Sequence, residues 1–242
     1  MSAEVAVAAV GRVPREVLAE GRARIAAAAQ GANALVEALK VRLSATGSGV
    51  LAQVNAEVDG RRVRVQETAQ GFAEAVDRIG EQLRRRIAAV TGTWKPQPWP
   101  QPGPPAELAG AVASSRARQI ARVKSPSLVW CSPEAAVRTL DAMDYDIHLF
   151  IDPATETDAV VYRTGPTGYR LARTTAAAPP SRCAVPLTLS PHGARRLSVE
   201  QAVARLEAAD LPVLFYADPD TGRGRVLYRR YDGHLGLIAG RS

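Results

Sequence analysis

The clearest periodicity in the chain runs through residues 71–90, where Phe72, Val76, Ile79, Leu83 and Ile87 recur at steps of three or four with polar residues between them. A single apolar stripe at that spacing predicts an amphipathic helix. The stretch before it alternates instead. Leu35, Glu37, Leu39, Val41 and Leu43 stand against Val36, Lys40 and Arg42, a second run spans Val50 to Val58, and Arg61 to Gln66 alternates Arg with Val. A period of two predicts half-buried strands. The TGSG at 46–49 and the Asp59-Gly60 pair supply tight turns, so the three strands read as an antiparallel meander. Residues 3–9 are short and strand-like. Pro14 then opens a helical stretch with Val17, Leu18, Ile25 and several alanines for its buried side; proline is tolerated at a helix start because its missing N–H would be unpaired there. The order β-α-β-β-β-α over residues 1–93 predicts a two-layer α+β domain with both helices on one face of the sheet.

Beyond residue 125 the pattern is written twice. Ser132 to Leu171 and Ser198 to Leu237 align without a gap at an offset of 66, and fourteen of the 40 positions are identical. Each copy reads as a helix, a strand, an Asp-Pro turn (DPATET or DPDTGR), a strand closing on Tyr162-Arg163 or Tyr228-Arg229, and a last short strand. Ser132 and Ser198 are suitable helix N-caps, and Gln201 completes a capping box with Ser198. A repeat of this kind predicts two tandem copies of one small helix-plus-β-meander domain. The boundaries drawn from it are 1–93 for the first domain, 94–125 for a linker, 126–172 for copy 1, 173–197 for a second linker and 198–242 for copy 2. The first linker begins WKPQPWPQPGPP, a semi-rigid polyproline spacer. Trp94 and Trp99 within it either fold back on the first domain or meet a partner.

The net charge of +7 is unevenly spread. Residues 1–93 carry 13 Lys/Arg against 10 Asp/Glu, residues 94–125 carry 5 against 1, copy 1 with its flanks (126–175) 4 against 7, and residues 198–242 balance at 6 against 6. The basic excess therefore belongs to the front half and the linkers. That suits a polyanionic partner for the front half, and it equally suits plain solubility. Arg84, Arg85 and Arg86 near the end of the second helix, with Arg78 one face-repeat earlier and Lys40, Arg42, Arg61, Arg62 and Arg64 on adjacent strands, form the candidate patch. Its bland counterpart is a solvated helix face whose cations suit the helix dipole.

Chemistry is sparse. His148, His192 and His234 are scattered, and no zinc, nucleophile-elbow or phosphate-loop motif occurs. The aspartates at 144, 146, 152 and 158 resemble a metal cluster, yet Asp144, Asp152, Asp210 and Asp218 stand at helix ends and turn starts, where Asp is locally favoured. Cys131 and Cys183 occupy unmatched positions of the repeat and read as reduced, incidental thiols. No catalytic residue, metal, cofactor or small-molecule substrate is expected. No apolar run approaches the ~18 residues of a membrane span, and Glu4 sits where the basic leader of a signal peptide would be; the chain reads as cytoplasmic.

The stretch RRLSVEQAVARLEAADLPVLFYADPDTGRGRVLYRRYDGHLGLIAG (195–240) resembles the C-terminal domain of long-form ribosome hibernation promoting factors, most specifically between Asp218 and Ile238. VKSPSLVWCSPEAAVRTL and DPATETDAVVYR resemble the same domain. AEAVDRIGEQLRRRI (73–87) closes a β-α-β-β-β-α pattern that resembles the family's ribosome-binding domain, the S30EA or sigma-54 modulation domain. The usual long form has one C-terminal domain; two resemble the dormancy- or hypoxia-associated ribosome factors of actinobacteria. The resemblance implies a hibernation factor that binds the small ribosomal subunit in the mRNA/tRNA channel, meets 16S rRNA phosphates, inhibits translation and preserves idle ribosomes under stress. Arg84, Arg85 and Arg86 take the rRNA role first on matching positions; the other basic residues join by patch membership. The competing reading is a double-stranded-RNA or regulatory module not acting on the ribosome.

In the long-form family the C-terminal domain pairs between two proteins. Here the partner surface is present in cis. Ile147, Leu149 and Ile151, with Val213, Phe215 and Tyr228, are the candidate pairing residues. A unit of about 45 residues is too small to leave such a face bare, and a tether of about 26 residues has a reach of roughly 28 Å. Intramolecular pairing of the two copies is the expectation.

Overall fold

The computed structural model describes residues 4–46, 49–96, 119–164, 168–178, 183–230 and 233–241. It divides into two compact units: the chain through Lys95 with Asp141–Tyr145, and Pro96–Leu140 with Asp146–Ser242. The TGSG turn lies partly outside the described residues, and Trp99 wholly outside them.

The first unit has the order β1 (Val5–Val10), α1 (Arg15–Gln30), β2 (Val36–Thr46), β3 (Gly49–Val58), β4 (Arg61–Ala69), α2 (Phe72–Thr91). The sheet runs β1-β2-β3-β4. β2, β3 and β4 are antiparallel neighbours, as the tight turns require. At the second of these Asp59 and Gly60 take φ of 47° and 73°, the doubly left-handed pair of a type I′ hairpin. β1 lies parallel to β2, because an intervening helix returns the chain to the end of the sheet from which it left. The two helices pack on one face. Ile25 and Ala28 of α1 and Val76, Ile79, Leu83 and Ile87 of α2 are buried against Leu39, Val41 and Leu43 of β2, Val54 and Val58 of β3, and Val63 and Val65 of β4.

One expectation is corrected here. Strict alternation places Leu35 on the same face as Leu39, Val41 and Leu43. In the structure Leu35 is 56 % exposed, and Val36 packs on the core. A register shift between Glu37 and Lys40, with Ala38 at φ 50°, inserts one extra residue. Such a bulge reverses the facing of everything before it.

The second unit holds two four-stranded sheets. Copy 1 supplies α3 (Pro133–Ala142), β6 (Ile147–Asp152), β7 (Thr157–Thr164) and β8 (Gly168–Arg173); copy 2 supplies α4 (Val199–Ala208), β10 (Val213–Ala217), β11 (Gly224–Arg229) and β12 (Leu235–Ala239). Both meanders are antiparallel. The N-caps are present: the Ala135 amide donates to Ser132 Oγ at 3.2 Å, and Ser198 and Gln201 form a reciprocal capping box. Asp144 and Asp210, just past the helices, take φ of 51° and 46°, the left-handed turn that ends a helix and that Asp tolerates. Two further strands stand inside the segments read as linkers. β5 (Ile120–Lys124), which precedes copy 1, lies parallel to β12 of copy 2. β9 (Leu187–Leu189), which precedes copy 2, lies parallel to β8 of copy 1. The strand that precedes each copy thus joins the sheet of the other.

Candidate functional site

The alternation of β2, β3 and β4 sends one side chain in two to the helices and the other outward. Lys40 and Arg42 of β2, Gln53 and Asn55 of β3, and Arg62, Arg64 and Gln66 of β4 share the open side. Lys40 stands opposite Asn55 and Arg42 opposite Gln53, while Asn55 faces Arg64 and Gln53 faces Gln66. Two polar rows thus cross these strands: Lys40–Asn55–Arg64, with a cation at each margin, and Arg42–Gln53–Gln66, with a cation at one margin only. Arg64 donates to Gln66 Oε1, and its guanidinium lies 5.8 Å from the centre of the Tyr145 ring. Lys40, Arg42 and Arg62 are exposed.

The remaining arginines lie on the helix side. Arg84 and Arg85 share Glu81, at 2.7 and 3.1 Å. Those hydrogen bonds hold the Glu81 carboxyl below its usual range. With side chains 55 % and 68 % exposed, the two guanidiniums carry more charge than one carboxylate cancels, and exposed ion pairs of this kind exchange partners at little cost. Arg78 pairs with Glu74 at 2.5 Å. Half-buried Glu67 has its carboxyl pushed up, first by burial. Arg61 and Arg86 are engaged differently. Arg61 Nη1 donates to the Val90 carbonyl at 2.8 Å, satisfying one of the orphan acceptors at the end of α2. Arg86 has an 11 % exposed side chain, pairs with Asp144 at 2.8 Å and also donates to the Asp141 carbonyl. The nine basic candidates therefore fall into a sheet-face group (Lys40, Arg42, Arg62, Arg64), a helix group (Arg78, Arg84, Arg85) and two engaged residues. The signal for the last two was in the pattern: Arg61 has the parity of Val63 and Val65, and Arg86 adjoins Ile87 on the apolar stripe. Trp94 Nε1 donates to Asp141 Oδ2 at 3.1 Å.

In the second unit an apolar cluster is built on Leu149, Val160 and Val226, with Ile147, Tyr162, Ala172, Val213, Phe215 and Ile238 packed against it. Of the pairing candidates, Ile147, Leu149, Val213 and Phe215 belong to it. Ile151 and Tyr228 do not: the Ile151 amide and carbonyl bond to Val129 and Cys131, and the Tyr228 ring lies 5.3 Å from Lys124 Nζ. Val160, Val226, Ala172 and Ile238 were missed, although the first pair is among the residues identical in the repeat. Asp152 pairs with Arg173 at 2.7 Å with both side chains buried, and Asp218 with Arg225 at 2.7 Å. Among the described residues no group of His, Cys, Asp and Glu is arranged to hold a metal ion, and Cys131 and Cys183 are free.

A family model described as "Sigma 54 modulation/S30EA ribosomal protein C terminus" matches residues 115–171 and 190–237, once on each copy. A relative from Mycobacterium tuberculosis (strain CDC 1551 / Oshkosh), the "Dormancy associated translation inhibitor", is 38% identical over 196 residues, covering 78% of this chain and 70% of its own. The chain belongs to the sigma 54 modulation/S30EA family. The same protein in strain H37Rv matches with the same figures. The N-terminal domain of Protein Y from Thermus thermophilus aligns with a TM-score of 0.31 at 19% identity, over 34% of this chain and 93% of that one. Within the S30EA family this is a long form with a duplicated C-terminal domain.

Proposed function

We propose that this S30EA protein is a ribosome hibernation factor. Its first domain binds the small subunit in the mRNA/tRNA channel, contacts 16S rRNA phosphates and blocks translation by occupancy, in the cytoplasm and without chemistry. The observation that carries the reading is the 38% identity, over 78% of this chain, to a protein named as a dormancy-associated translation inhibitor. The electrostatics support it. Arg84 and Arg85 are exposed and only partly neutralised by Glu81, and the open sheet face adds Lys40, Arg42 and Arg62. Each guanidinium placed on a phosphate releases counterions. Arg61 supports the domain itself, through the end of α2, and Arg86 is engaged by Asp144.

The two C-terminal copies mate within one chain. The apolar cluster that draws on Leu149, Val160 and Val226 and the reciprocal placement of β5 and β9 support this. A domain whose partner surface is already filled in cis leaves a ribosome single and does not join two. The test is a sucrose gradient in which the full chain is added to purified small subunits and 70S ribosomes, with free double-stranded RNA as competitor. Co-sedimentation with the small subunit, resistant to excess RNA, and a single-ribosome peak are expected. Preference for free RNA would make the chain an RNA-binding module of another kind, and a paired-ribosome peak would overturn the cis mating.

A further inference from the structure

Most of the cluster between the two copies is made of counterparts. Ile147 and Val213, Leu149 and Phe215, Val160 and Val226, and Ala172 and Ile238 all belong to it, each pair offset by the repeat. Contact between matching residues is the mark of an isologous, twofold-like mating. In such a mating a residue near the axis meets its own counterpart. Asp158 and Gly224 are counterparts, and they meet. The Gly224 amide donates to Asp158 Oδ2 at 2.6 Å, and a Cβ built on Gly224 would lie 2.8 Å from the Asp158 Cβ. Arg223 completes the contact, its Nε donating to Asp158 Oδ2 at 2.7 Å and its Nη2 to Oδ1 at 3.2 Å. Asp158 is 5 % exposed. The carboxylate exists only on copy 1. The cation exists only on copy 2, since the counterpart of Arg223 is Thr157. Space for the carboxylate exists only where copy 2 carries glycine.

We propose that Asp158, Arg223 and Gly224 form a specificity lock that makes each copy accept the other and reject its own kind. Two copies of the first type would bring Asp158 against Asp158, with threonine where the cation belongs. Two of the second type would bring Arg223 against Arg223 with no carboxylate between them. A mispairing of the first type strands the buried Asp158 carboxylates, which costs far more than the matched pair contributes; one of the second type sets the 36 % exposed Arg223 side chains against each other with no carboxylate between them, so the lock acts mainly by penalising wrong partners. The apolar residues cannot do this, being similar on both sides. The partner surface thus recognises the complementary copy, and a second chain is excluded from mating like with like. This rests on the mating of the copies in cis proposed above.

The test uses the full-length chain, with Asp158→Arg, Arg223→Asp and the two combined, read by amide hydrogen exchange at Val160 and Val226 and by sedimentation. Either single change should speed exchange at both sites by about tenfold or more, and the combination should return it to within about threefold of the original, the coupling expected of a true pair. Replacing Thr157 by Arg and Asp158 by Gly together, which gives copy 1 the residues of copy 2, should also lose protection. Should a single variant fail to fold, rescue by the combination supports the lock. Unchanged exchange in the single variants, or a combination as damaged as their sum, overturns it. A wild-type chain that sediments as a dimer would overturn the cis mating alone, because the rescue pattern would still report the lock.

Discussion

His148 shows how one side chain can set a pH limit. It stacks on Phe150 with ring centroids 6.1 Å apart, and burial lowers its imidazole pKa to about 4. An unfolded chain takes up that proton near pH 6.5. Between those values the unfolded state binds more protons than the folded one, so stability rises with pH through the window. The contribution is complete above about pH 6.5 and is lost as pH falls toward 4, by at most about 1.4 kcal/mol per unit. Denaturant titrations at pH 7 and pH 5 should differ accordingly, and His148→Leu, the residue copy 2 carries here, should flatten the difference. Among the basic residues, Arg84→Glu with Arg85→Glu should abolish ribosome co-sedimentation while the thermal transition stays within a few degrees. The milder Arg84→Gln with Arg85→Gln should lower the salt slope of binding by about one to two. Arg86→Glu should instead lower stability, because it opposes Asp144. These residues were legible in the sequence as charge and not as roles: alternation says which side of an element a residue takes, and it does not say which carbonyl or carboxylate waits there.

At the level of elements, local signals decided most of the outcome. The stripe Val76, Ile79, Leu83, Ile87, the Asp59-Gly60 hairpin and the Ser198 cap each carry their own physical cause, and each element formed where that cause lay. Leu83 is fully buried between α2 and the sheet, so Leu83→Ala should cost about 2–5 kcal/mol in an unfolding titration. Ser198→Ala should cost about 1 kcal/mol. The misses were long-range. The bulge at Ala38 leaves no local mark beyond one broken alternation. β5 and β9 are short edge strands paired in parallel, β5 with a strand more than 100 residues on and β9 with β8 across a long connection, so no tight turn announces them. The lock at Asp158 was invisible for the same reason. In the sequence its carboxylate stands only among the aspartates at 144, 146, 152 and 158 that resemble a metal cluster.

For the whole molecule, inhibition of translation should be stoichiometric with ribosomes and reversible in high salt. A titration in a cell-free extract checks this, and a small fraction of protein silencing all ribosomes would point to turnover and against occupancy. The exchange of β5 and β9 bears on how such a molecule is made. The residues of β5 leave the ribosome about 110 residues before β12, their neighbour in the finished sheet. At ~5–20 residues per second that interval is roughly 5–20 s. During it a bare strand edge must avoid pairing with the nearer meander of copy 1. Arg122 and Lys124, both exposed, are the kind of residue that keeps an edge from premature pairing. The strand synthesised first in this half of the chain is therefore the last to find its place.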